Sequence, residues 1–155
     1  MSRSTDTDHD NTTQNSLLQQ ADSTQPALNY AVSLQNAAAS VGFDWPDSTG
    51  VIAKIKEELD EVAAEIHSDD QARLHDEIGD LLFAVTNLAR HLNVDPQQAL
   101  EQSIHKFYRR FNYIEHQLHK LNKTPESCDL ATLDSLWDEA KAHERGSTPT
   151  QKSRR

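Results

Sequence analysis

Apolar residues recur at three- and four-residue spacing through the middle of the chain, and no window alternates apolar and polar positions over the length of a strand. The pattern predicts helices throughout. The first spans about residues 26–41, with Leu28, Ala31, Leu34, Ala38 and Val41 on one stripe. Pro26 suits a first helical turn, where its missing N–H costs nothing. Gly42 ends the element, and residues 42–47 form a loop closed by Gly and Pro. The second helix spans about residues 49–67, with Val51, Ile55, Leu59, Val62 and Ile66 inward. Ser68, Asp69 and Asp70 then offer side-chain oxygens to cap a third helix. That helix spans about residues 71–92 and is striped by Ile78, Leu81, Leu82, Val85, Leu88, Ala89 and Leu92, and Asn93 suits a left-handed end. Asp95-Pro96-Gln97-Gln98 supplies an N-cap, a Pro at the first helical position and a Gln at the third. The fourth helix therefore runs to about residue 121 with Leu100, Ile104, Phe107, Phe111, Ile114 and Leu118 inward. After a turn at Thr124-Pro125-Glu126-Ser127, a last helix over about residues 130–144 carries Leu133, Leu136 and Trp137. The expected fold is all-α: an antiparallel bundle of four to five helices over residues 26–145, with sequential helices adjacent because their connections are short.

The ends differ. After Met1, residues 1–25 hold only Leu17 and Leu18 as large apolar side chains, among Asp6, Asp8, Asp10 and Asp22. Such a segment buries too little to order itself and is expected to be a flexible tail. Residues 146–155 are expected to be a second polar tail with a basic tip, Lys152-Ser153-Arg154-Arg155. A hydrophobic content of 35% is low for a globular chain and reflects these polar ends.

The formal net charge of −10 argues against sequence-independent nucleic-acid binding and against anionic membranes, since both need basic patches. It does not argue against a nucleotide carried as its Mg²⁺ complex. Cys128 is the single cysteine, so an intramolecular disulfide and a cysteine-rich zinc site are excluded. No apolar run approaches the roughly 20 residues that cross a bilayer, and residues 1–10 lack a secretory apolar core. A soluble cytoplasmic protein is the expectation.

Two acidic clusters stand out. At about 100° per residue, Lys54, Glu57, Glu58, Glu61 and Glu65 share one arc beside the apolar stripe of the second helix, while Asp60 falls further round. On the third helix, Glu77 and Asp80 lie three residues apart, also at the stripe's border. If the two helices pack through their stripes, Glu58, Glu61, Glu77 and Asp80 converge at the edge of the core. Converging carboxylates repel unless a cation neutralises them, and oxygen ligands suit Mg²⁺ or Mn²⁺. The plain alternative is a solvated acidic face. That alternative leaves Gly79 unexplained, a residue costing about 1 kcal/mol in a helix relative to Ala. Lys106 and Arg110, four residues apart, share one side of the fourth helix, either as a solvated basic patch or as phosphate clamps. Trp137 suits a core position or a place beside a base, and Trp45 reads best as a plug for the bundle. His116 and His119 lack companions at ligand spacing, and Cys128 has no base near it in sequence.

The series Glu57-Glu58-Leu59-Asp60-Glu61 followed by Glu77-Ile78-Gly79-Asp80 resembles the MazG-like nucleotide pyrophosphohydrolases. So do Val41-Gly42-Phe43-Asp44-Trp45-Pro46, the run from Gly79 to Ala84, the run from Asn87 to Leu92, the run from Lys106 to Phe111, and the late Trp137 with Lys141. The resemblance covers roughly residues 28–145 and fits the catalytic, C-terminal domain of two-domain members of the family. It implies Mg²⁺-dependent hydrolysis of a nucleoside triphosphate to a monophosphate and pyrophosphate, with Mn²⁺ as a substitute metal. It makes Glu58, Glu61, Glu77 and Asp80 the metal ligands, with Glu57 supporting the attacking water. It places Lys54, Arg73, Lys106 and Arg110 on the phosphates, and Trp137 with Lys141 by the base. It also implies a homodimer or higher homo-oligomer. Arg73 and Asp76 depart from the Lys and Glu of the best-known member, each keeping its charge. Whether the task is clearing aberrant nucleotides or adjusting normal pools stays open. Narrower superfamily enzymes acting on dUTP, dCTP or phosphoribosyl-ATP are the nearest rivals. A di-iron bundle needs Glu-x-x-His, which does not occur here. A non-catalytic helical adaptor predicts no response to Mg²⁺.

Overall fold

The computed structural model describes residues 16–68 and 70–146. Most of the expected N-terminal tail, nearly all of the C-terminal one and Asp69 therefore lie outside the described residues. Among these residues there are five α-helices and no strand: α1 Ala27–Ala39, α2 Ser48–Glu65, α3 Gln71–His91, α4 Pro96–Lys120 and α5 Leu130–Gly146. Ahead of α1, where a polar tail is expected, Leu17–Gln20 forms a 3₁₀ turn that contacts it.

Local chemistry sets these limits. Asp47 caps α2 by accepting from Thr49 N at 2.7 Å. Asp70 caps α3 by accepting from Ala72 N and Arg73 N, both at 3.1 Å. Each bond satisfies an N–H that the first helical turn leaves without a partner. Gly42 at φ +87° and Asn93 at φ +54° provide the left-handed turns after α1 and α3, and Asn122 does the same after α4. Pro26 stands one position outside α1, with extended ψ, rather than in its first turn.

The chain divides into two compact units, residues 1–97 and 98–155. In the first, α2 and α3 make the main contact and are joined by a short turn, and α1 packs on α3. The buried face of α2 consists of Val51, Glu58 and Val62 with Ile55 half-buried, whereas Leu59 and Ile66, expected inward, are 54% and 57% exposed. Positions 51, 55, 58 and 62 fall within about 60° on a helical wheel, with Glu58 at one edge. The true stripe thus includes a carboxylate. On α3, Ala84 and Thr86 are buried, while Ile78, Leu82, Val85 and Leu92 form an uncovered apolar row.

In the second unit, α4 and α5 meet through side chains. The Phe107 ring lies 5.4 Å from that of Trp137, and Tyr113 lies 5.5 Å from the His143 ring. Ile114, Leu118 and Ala140 are buried, but Leu100, Ile104 and Phe107, expected inward, are exposed.

Candidate active site

The α2–α3 hairpin brings Glu58, Glu77 and Asp80 together, each offering a carboxylate oxygen within 4.8 Å of the others. Their settings differ: Glu58 is buried, Glu77 half-buried and Asp80 exposed. Glu58 has a specific reason to stay charged. Lys54, one turn earlier, places Nζ 2.7 Å from its Oε1 and holds the carboxyl below the usual range against the opposing effect of burial. Oε2 of Glu58 is buried with no hydrogen-bond partner. An ionised carboxylate with one oxygen tied to Lys and the other orphaned suits a hard cation, and two further carboxylates stand within reach to complete the set.

Glu61, the fourth expected ligand, is exposed and outside that trio. It is still electrostatically part of the group. Hydrogen bonding with Glu58, then burial, then the charges of Glu58 and Glu77 push its carboxyl above the usual range. Glu57 lies on the other side of Lys54, with Oε1 3.1 Å from Nζ. Lys54, expected on the phosphates, is thus held by two carboxylates, which raise its pKa.

The remaining expected residues are placed as follows. Arg73 pairs with Glu65 Oε1 at 2.7 Å, bracing the hairpin turn. In the second unit, Lys106 is exposed, while Arg110 donates from Nε to Glu144 Oε2 at 2.9 Å and lies over the Trp137 ring at 5.6 Å. Lys141 Nζ is 2.6 Å from Asp138 Oδ1. Trp137 is half-buried against Phe107 and Arg110. Sequence spacing did not reveal Glu144, because an ion pair between helices leaves no periodic trace.

Glu58 and Asp80 also line a cavity of about 780 Å³ within the first unit. Leu34, Ala38, Val51, Phe83 and Ala84 give it apolar walls, and Gln35, Asp44, Trp45, Asn87 and Arg90 add polar and aromatic groups. None of those five was singled out as a site residue from the sequence. A signal was present in Gln35, a polar residue seven positions after Leu28 on the apolar face of α1. Asp44 anchors the loop by accepting from Arg90 Nη2 and by pairing with His91 Nε2 at 3.0 Å. Trp45 lies against Gly50, where a Cβ would come within 2.6 Å of the indole.

Residues 47–114 match the family described as the MazG nucleotide pyrophosphohydrolase domain. That segment contains α2, α3 and most of α4, hence every carboxylate of the cluster. Over 116 residues the chain is 43% identical to the nucleoside triphosphate pyrophosphohydrolase/pyrophosphatase MazG of Thermotoga maritima, covering 75% of this chain and 44% of that protein. Over 133 residues it is 40% identical to the nucleoside triphosphate pyrophosphohydrolase of Escherichia coli K12, covering 84% and 51% respectively. The chain thus spans about half the length of these curated relatives.

Proposed function

Because residues 47–114 form a MazG nucleotide pyrophosphohydrolase domain, we propose that this protein hydrolyses the α–β phosphoanhydride of nucleoside triphosphates, releasing a nucleoside monophosphate and pyrophosphate in a Mg²⁺-dependent reaction. One observation carries the reading: the buried, ionised Glu58, with Oε2 unpartnered, sits beside Glu77 and Asp80 on the wall of a cavity. Bound Mg²⁺, or Mn²⁺ in its place, would screen the phosphate oxygens and make the attacking water more acidic.

The chain's own residues then have distinct tasks. Glu58, Glu77 and Asp80, with Glu61 beside Glu58, hold the metal. Lys54 fixes Glu58 in its charged form and lies near enough to contact a phosphate. Glu57, positioned by Lys54, takes the proton of the attacking water together with one ligand carboxylate. Arg73, Lys106 and Arg110 are assigned to the triphosphate, and Trp137 and Lys141 to the nucleoside end.

The uncovered apolar row on α3, with Leu59 and Ile66 of α2, supports a homodimer or higher homo-oligomer. The acidic net charge of −10 supports a free nucleotide rather than nucleic acid as substrate. Among the described residues no helix is long and apolar enough to cross a membrane. We assign the reaction to the cytoplasm, as a house-cleaning step on nucleotide pools. Asp80→Ala or Glu61→Ala should abolish Mg²⁺-dependent pyrophosphate release with helicity retained. Full activity in either variant contradicts the assignment.

A further inference from the structure

The main polar group in the cavity's apolar part is Gln35 on α1. It is only 7% exposed, and its Nε2 donates to Phe83 O at 2.9 Å and to Thr86 Oγ1 at 3.3 Å. The Thr86 hydroxyl itself donates to Phe83 O at 2.7 Å, so both groups facing Nε2 act as acceptors. A flipped amide would set Oε1 against those acceptors, and the orientation is therefore fixed by the network. Gln35 Oε1 is left buried without a hydrogen-bond partner. Buried amide oxygens are nearly always paired, so this one calls for a donor that the chain does not supply. Asn87 lines the same cavity, and its Oδ1 accepts from Arg90 Nε at 2.9 Å. What Asn87 can offer a ligand is its N–H₂ group.

We propose that this cavity seats the base of the nucleotide, with Gln35 Oε1 accepting an N–H from the base edge and Asn87 donating to a neighbouring base acceptor. The inference rests on the pyrophosphohydrolase reading, because it places base and triphosphate along one wall that also carries Glu58 and Asp80. The volume of about 780 Å³ lies within the range of small-molecule sites. Trp45 and Phe83 bring aromatic surface on which a base stacks, and edge hydrogen bonding combined with stacking is how extruded bases are read. Base recognition thereby moves to Gln35 from Trp137, whose ring lies against Phe107 and Arg110.

The test compares kcat/KM for UTP with 3-methyl-UTP, and for ATP with N6,N6-dimethyl-ATP, in the wild-type protein and in Gln35→Met. Met keeps the volume and removes the acceptor, and thermal melting checks the fold. The wild type should discriminate against each methylated substrate by roughly tenfold to a hundredfold, the penalty for an acceptor buried unpaired. In Gln35→Met that discrimination should collapse. Equal treatment of methylated and unmethylated substrates by the wild type overturns the proposal without any variant, and so does undiminished discrimination in Gln35→Met, which would mean steric bulk alone. If no triphosphate is turned over, the pyrophosphohydrolase reading has failed separately. Calorimetry of uridine and adenosine in EDTA then decides the base seat: binding that Gln35→Met removes supports it, and no binding, or binding indifferent to that variant, overturns it.

Discussion

Asp80→Asn removes one charge from the carboxylate trio while keeping the side chain's shape. The ligand oxygens of Glu58, Glu77 and Asp80 lie within 4.8 Å of one another. At that separation a like-charged pair costs about 0.9 kcal/mol in a water-like dielectric and several times more in a protein-like one. Asp80 is exposed, so the lower figure governs. Two pairs are relieved, and Lys54 offsets part of the repulsion around Glu58. The metal-free variant should therefore be about 1–2 kcal/mol more stable than the wild type. For a unit of this size each kcal/mol moves Tm by about 4–8 °C. The assay is thermal melting by circular dichroism in EDTA and in saturating Mg²⁺. Mg²⁺ at about 100 times its Kd should stabilise the wild type by about 2.7 kcal/mol, and the variant by far less. Asp76→Asn, on the same helix but outside the trio, is the control and should stay within about 0.5 kcal/mol in both buffers. A lower melting temperature for Asp80→Asn in EDTA, or an undiminished Mg²⁺ response, refutes the reasoning.

Other consequences can be measured on the same protein. The Arg90 guanidinium beside Asp44 lowers its pKa to about 2 from 3.8, so the stability this carboxylate contributes is present above pH 3.8 and is lost as the pH falls through about 2. With a quarter of the side chain exposed, that contribution is about 1–2 kcal/mol. Urea midpoints measured from about pH 5 to pH 2 should fall further in the wild type than in Asp44→Asn, and parallel curves exclude the linkage. Gly50→Ala drives a methyl to within 2.6 Å of Trp45 Cε3, and the overpacking should outweigh the gain in helix propensity for a net loss of about 1 kcal/mol. Tryptophan emission should shift to the red as the ring leaves, and an unchanged spectrum with unchanged stability contradicts this. Leu118, 1% exposed, should cost about 2–5 kcal/mol on substitution by Ala, read from denaturant unfolding.

The helices and their ends were legible because local chemistry fixes them. Asp47 and Asp70 cap through their own carboxylates, and Gly42 and Asn93 turn the chain with positive φ. The direction of each buried face was harder to read. Counting apolar residues placed the inward face of α2 toward Leu59 and Ile66, because a Glu was taken to border the stripe rather than belong to it. A buried carboxylate becomes tolerable only with Lys54 one turn away, a tertiary fact more than a pattern. The same habit hid Gln35, whose amide is committed to Phe83 and Thr86 on another helix. The acidic series was legible through its resemblance to a family, and the geometry of α2 and α3 brings together Glu58, Glu77 and Asp80 from it. Arg110 was read as a free cation because Glu144, its partner on α5, stands 34 residues away in sequence.

The most direct test of the central claim is product analysis. Each common ribo- and deoxynucleoside triphosphate is incubated with the protein in Mg²⁺ and in EDTA, and monophosphate, diphosphate, pyrophosphate and orthophosphate are separated. The account predicts monophosphate and pyrophosphate in equal amounts, in Mg²⁺ only. Diphosphate with orthophosphate, or turnover that persists in EDTA, would contradict it.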